Sequence, residues 1–112
     1  MSKTTFTITL PMTIVMDDGE ILRVLTDNQW FEWVTHVVRN DYGVTITMTD
    51  PDGDGEVTNL FSITDMIKVL KSLPTDKVWA QNVINGFIED DLDSETQDLF
   101  WQYAMFGDVV YG

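Results

Sequence analysis

Residues 5–16 read TFTITLPMTIVM, in which Phe6, Ile8, Leu10, Met12, Ile14 and Met16 share one parity and threonine fills most of the other. Alternation over a dozen residues is the pattern of a β-strand with one buried face, so the fold must supply a sheet and something to cover it. A shorter alternation, Val44, Ile46 and Met48 against Thr45, Thr47 and Thr49, makes the same demand. Pro11 lies on the outward parity. Because proline cannot donate to a ladder, it places the first strand at an edge or bends it there.

Asp17, Asp18 and Gly19 form a turn into a partner strand over residues 20–25, closing a first hairpin. Thr26, followed three residues later by Gln29, resembles a capping box. Trp30, Phe31, Trp33, Val34, Val37 and Val38 then fill one arc of a helix, with Glu32, Thr35, His36 and Arg39 on the other, and Gly43 stops it in the left-handed conformation. Residues 44–49 and 57–63 make a second hairpin. Helical spacing returns at 64–73 before Pro74, at 76–88 behind a Thr75 cap, and from a Ser94 cap to 106. The predicted architecture is one α+β domain over residues 1–112. It has an antiparallel sheet of about four strands in two hairpins, packed against about four helices in the order ββαββααα.

Nineteen acidic residues face six basic ones, for a formal charge of −13. Such a charge repels phosphate backbones and anionic lipid surfaces, which argues against direct nucleic-acid or membrane binding; it attracts cations or a basic protein surface. Apolar residues make up 44% of the 112, enough for a packed core, so the acidity does not imply disorder. There is no cysteine, hence neither a disulfide nor a thiolate metal site. No apolar run approaches a membrane span and the opening residues hold no signal core, so the expectation is a cytoplasmic protein. His36, the single histidine, falls on a polar face, and no nucleophile, zinc or phosphate-loop motif accompanies it; the chain is expected not to be an enzyme and to need no cofactor.

Residues 50–56, DPDGDGE, resemble the opening of a calcium-binding EF-hand loop. With Asp50 as position 1, Asp52 and Asp54 take positions 3 and 5, Gly55 the sharp turn, and Glu56 the backbone-carbonyl ligand at 7. Position 12, which needs a bidentate glutamate, is Phe61, and the flanks read as strands where helices are required. The competing reading is a solvated hairpin turn, for which Asp and Gly are the usual residues. A weak calcium site on Asp50, Asp52, Asp54 and Glu56 is the alternative.

Beyond Lys77 there is no Lys or Arg, yet Glu89, Asp90, Asp91, Asp93, Glu95, Asp98 and Asp108 follow. On the last helix Leu99, Phe100, Tyr103, Ala104 and Phe106 form the expected core arc, which leaves Trp101 and Met105 on the opposite side. An exposed Trp101 beside Glu89, Asp90, Asp91, Asp93, Glu95 and Asp98 has the composition of a recognition surface, the aromatic supplying contact energy and the acids steering. Alternatively, Trp101 packs against another part of the chain, such as residues 109–111. In size and charge the chain is similar to small acidic inhibitors from phages and mobile elements, some of which mimic DNA. That resemblance implies an anti-defence inhibitor covering the basic, nucleic-acid-binding surface of a partner. A toxin-immunity protein, or an assembly subunit docking through the edge strand at 5–16, fits the same composition.

Overall fold

The computed structural model describes residues 3–7, 14–27, 31–50, 53 and 55–109. In chain order the elements are β1 (Lys3–Phe6), β2 (Ile14–Asp17), α1 (Asp18–Thr26), β3 (Val34–Asn40), β4 (Gly43–Thr49), β5 (Glu56–Ser62), α2 (Ile63–Ser72), α3 (Val78–Ile88) and α4 (Ser94–Phe106). β1 and β2 form one antiparallel sheet, and β3-β4-β5 form another in sequential order. The α+β class and the run of three helices at the end agree with the sequence; among the described residues the strands number five, in two sheets.

The first alternating run is not one strand. β1 and β2 fold back on each other, with Lys3 opposite Asp17 and Phe6 opposite Ile14. Pro11, Ile8, Leu10 and Met12 lie outside the described residues. Period two reports which face a residue occupies, not where the strand doubles back, so the alternation survives in Phe6, Ile14 and Met16 while the length does not.

Of the predicted turn at 17–19 and strand at 20–25, Asp17 ends β2 and residues 18–25 instead form the start and body of α1. Ile21, Val24 and Leu25 are fully or almost fully buried at helical spacing. Asp18 and Glu20 occupy the first turn and Arg23 the last, matching the helix dipole. Six residues are too few for period alone to separate helix from strand. Thr26 ends this helix, its Oγ1 donating to the Leu22 carbonyl, and Gln29 of the predicted capping box lies outside the described residues.

The predicted helix through 30–39 is likewise replaced, by β3 over Val34–Asn40. Its register against β4 shifts between Val34 and His36, so that Val34 pairs with Met48 and Val37 with Ile46. Met48 and Ile46 are core residues. The irregularity turns two residues three apart, Val34 and Val37, toward the interior, which imitates a helical repeat in the sequence. Trp30, part of the predicted helical arc, lies outside the described residues.

Gly43 opens β4 instead of stopping a helix. A Cβ there would stand 2.1 Å from the Phe61 carbonyl oxygen across the β4–β5 ladder, so the demand is for space. Along β4, Val44, Ile46 and Met48 are buried and alternate with threonines as expected.

α2 begins in a capping box: the Asp65 backbone N–H donates to Ser62 Oγ (3.1 Å) and the Ser62 N–H to Asp65 Oδ2 (3.0 Å). Hydrogen bonding from the Ser62 backbone N–H first, then from its side chain, holds the Asp65 carboxyl below the usual carboxylate range. α3 starts at Val78, with Lys77 and not Thr75 in the cap position and no side-chain cap bond. The core runs from Phe6, whose ring meets Phe87 of α3 at 6.1 Å, through α1, α2 and the inner face of β4 and β5 to α4.

α4 is buried on more than one side, since Gln97, Phe100, Trp101 and Gln102 are all inaccessible. Its relation to α1 is specific. The last turn of any helix leaves carbonyls without intrahelical partners. In α1 the Val24 carbonyl accepts from Gln97 Nε2 (2.8 Å), that of Leu25 from Trp101 Nε1 (2.7 Å) and that of Thr26 from Arg39 Nη1 (3.0 Å). Three successive carbonyls are thus capped by side chains from α4 and β3.

Candidate partner-binding surface

The acidic segment 89–98 wraps the turn between α3 and α4. The backbone N–H groups of Glu89, Asp90 and Asp91 donate to the carbonyls of Asn85 (3.0 Å), Phe87 (3.3 Å) and Gly86 (2.8 Å), closing the end of α3. Asp90 supplies the left-handed residue of this stop, at φ 54°, a conformation Asp tolerates better than most side chains. At Gly86 a Cβ would lie 3.0 Å from Leu92 Cδ2 and 3.2 Å from the Asp91 carbonyl oxygen, so the returning chain needs the missing side chain. The turn is rigidly specified by backbone bonds.

Its carboxylates have divided duties. Asp90 Oδ2 accepts from Arg23 Nη2 at 2.8 Å, and the same guanidinium pairs with Glu20 at 2.9 Å and with Asp27 at 3.6 Å. Hydrogen bonds to Glu20 first, then to Asp90, stabilise that charge and raise the guanidinium above its already high ordinary value. The acidic surface therefore extends from the α3–α4 turn onto α1. Sequence reasoning missed Glu20 and Asp27; their spacing around Arg23 is the helical signal, hidden once 20–25 is read as a strand.

Asp93 is the N-cap of α4, in place of Ser94, its Oδ1 accepting from the Thr96 backbone N–H at 2.7 Å. Bonding from the side chain and backbone of Thr96 holds its carboxyl below the usual range. Asp98 is half-buried, and its Oδ1 accepts from Trp33 Nε1 (2.6 Å) and Gln102 Nε2 (3.2 Å). Glu89, Asp91 and Glu95 remain: their side chains are exposed and make no hydrogen bond or ion pair among the described residues.

Trp101 does not belong to this surface. It is fully buried, meets Phe100 edge-on at 4.9 Å and Phe61 at 5.4 Å, and donates to the Leu25 carbonyl. The one-sided wheel fails because α1, α3 and the β5 side of the sheet enclose α4. The aromatic that does stand beside Asp98 is Trp33. It stacks on Phe31 (centroids 6.0 Å, planes 15° apart) and leans on Phe106 (5.4 Å). Phe31, Glu32, Trp33 and Asp98 line an open groove of about 520 Å³.

The 50–56 segment joins two strands, β4 and β5, as a hairpin. The Asp50 N–H donates to the Gly55 carbonyl (2.9 Å) and the Gly53 N–H to the Asp50 carbonyl (3.3 Å), so the turn closes through its own backbone. Glu56 Oε2 accepts from Thr35 Oγ1 at 3.3 Å. Phe61, at the loop position where a calcium site needs glutamate, is a core residue against Trp101. Asp52 and Asp54 lie outside the described residues; among those described, no group of three or more His, Asp or Glu is placed to hold a metal ion. His36 is exposed on β3.

Among the described residues no helix is long and apolar enough to cross a membrane. Comparison of the chain with protein families, with curated proteins and with solved structures yields no significant match.

Proposed function

We propose that this protein is a non-enzymatic inhibitor that covers a basic, nucleic-acid-binding surface of a partner protein. The observation that carries the reading is the trio Glu89, Asp91 and Glu95, exposed and uncompensated on a turn whose backbone is fixed by the α3 stop and the Asp93 cap. Fixed carboxylates can occupy the positions of phosphates and compete for the same Lys and Arg side chains with little ordering cost. The overall charge of −13 speeds encounter with a basic surface and repels nucleic acid itself. Asp90 and Asp93 serve mainly to hold the turn, Asp90 through Arg23 and Asp93 through Thr96.

The test is capture of partners from the native host lysate by the wild type and by the combined variant Glu89→Gln, Asp91→Asn, Glu95→Gln. The expected result is a basic protein retained at low salt by the wild type only, released by high salt and displaced by duplex DNA. Equal retention by the variant, or a partner indifferent to salt and DNA, removes the proposal.

A further inference from the structure

The groove beside Asp98 combines two kinds of surface. Its walls are the stacked rings of Phe31 and Trp33, and the charged groups lining it among the described residues, Glu32 and Asp98, are both carboxylates. No described Lys or Arg lines it. Its volume of about 520 Å³ falls within the roughly 300–1,000 Å³ of ordinary ligand clefts. Aromatic faces with adjacent carboxylates attract a desolvated cation from two directions, through the ring quadrupole and through charge.

The carboxylate is also oriented. Both hydrogen bonds that reach Asp98 among the described residues end on Oδ1, one of them from the indole of the groove's own tryptophan. Trp33 and Asp98 thereby fix each other, and Oδ2 is left to a donor from outside. Such preorganisation lowers the ordering cost of binding.

We infer that the Phe31–Trp33–Asp98 groove seats an arginine side chain of the partner, its guanidinium lying against the rings and donating to Asp98 Oδ2 and Glu32. Arginine suits the site better than lysine because a planar guanidinium both stacks on aromatic rings and presents several donors in one plane. This rests on the reading of the protein as a binder of basic partners. It adds a salt-resistant anchor to an otherwise steering-dominated surface.

The experiment titrates the isotope-labelled protein with the blocked tripeptide Gly-Arg-Gly, following the Trp33 indole N–H resonance, with the lysine and citrulline tripeptides as controls. A saturable shift with arginine, about fivefold weaker affinity with lysine and none with neutral citrulline is expected. Asp98→Asn, which keeps an oxygen acceptor for Trp33, should lose the arginine response, whereas Glu89→Gln, Asp91→Asn, Glu95→Gln should keep it. No saturable shift, an equal response to citrulline, or loss in the triple variant overturns the assignment. Because no partner is needed, the outcome separates the groove from the wider proposal: an arginine response with no basic protein captured upholds the groove and removes the partner.

Discussion

Two tryptophans give their indole N–H to groups on either side of the α1–α4 region, and they differ in every other respect. Trp101 reaches out from α4 to a neutral carbonyl of α1 and is fully buried; Trp33 reaches in from the start of β3 to a carboxylate of α4 and is half-buried beside an open groove. The first bond satisfies a carbonyl that has no other intrahelical donor. The second fixes a charge at the surface. An indole next to a carboxylate in sequence, as Trp101 is to Asp98, is therefore a poor guide to which indole meets that carboxylate in space.

The sharpest way to break this comparison is to replace each ring by phenylalanine. Trp101→Phe should cost about 3 kcal/mol, combining a core cavity with an unsatisfied Leu25 carbonyl. Trp33→Phe should cost about 1 kcal/mol, because water can reach the half-buried Asp98. Urea unfolding measures both, and equal losses would erase the distinction.

A smaller effect is expected at the α4 cap. Asp93→Ala should lower stability by about 1 kcal/mol at neutral pH. The Asp93 carboxyl is depressed in the folded state, so its contribution is present above the unfolded value near 3.9 and fades as the pH falls through the lower folded value. The melting-temperature gap between wild type and Asp93→Ala should accordingly close below about pH 4. A gap that persists in acid would mean the carboxylate is not the cap.

The smallest effect should come from Glu89→Gln, Asp91→Asn and Glu95→Gln together. With no partner to lose among the described residues and three like charges removed, thermal stability should stay level or rise slightly at low salt. A clear fall in melting temperature would show that these residues hold the turn, as Asp90 and Asp93 do.

What the sequence made legible follows the range of the forces involved. β4, β5 and α2 were readable because an alternating or helical stripe faces one core, and Val44, Ile46, Met48, Met66 and Leu70 are buried as the stripe requires; α4 was readable as a helix but not in its faces, since it is enclosed on more than one side. Residues 18–40 were misread, with helix and strand exchanged. α1 carries no glycine stop, since its terminal carbonyls are capped by Gln97, Trp101 and Arg39, and β3 disguises itself through the irregularity between Val34 and His36. The acidic turn was visible as composition. Its division into Asp90 and Asp93, which hold the fold, and Glu89, Asp91 and Glu95, which do not, depends on Arg23 and Thr96, and so required coordinates.

The borrowed caps of α1 also order events in time. Val24 and Gln97 are separated by 73 positions and Leu25 and Trp101 by 76, so the end of an early helix is completed only when a loop of that length closes. Closure of so long a loop carries a large entropic cost that local helix formation does not. Until α4 docks, the Val24 and Leu25 carbonyls have water in place of their final donors, and a helix of nine residues, marginal in isolation, relies on its packing against β2 and α2. The last turn of α1 thus takes two of its caps from the carboxy-terminal third of the chain, and is completed only when folding brings the two together.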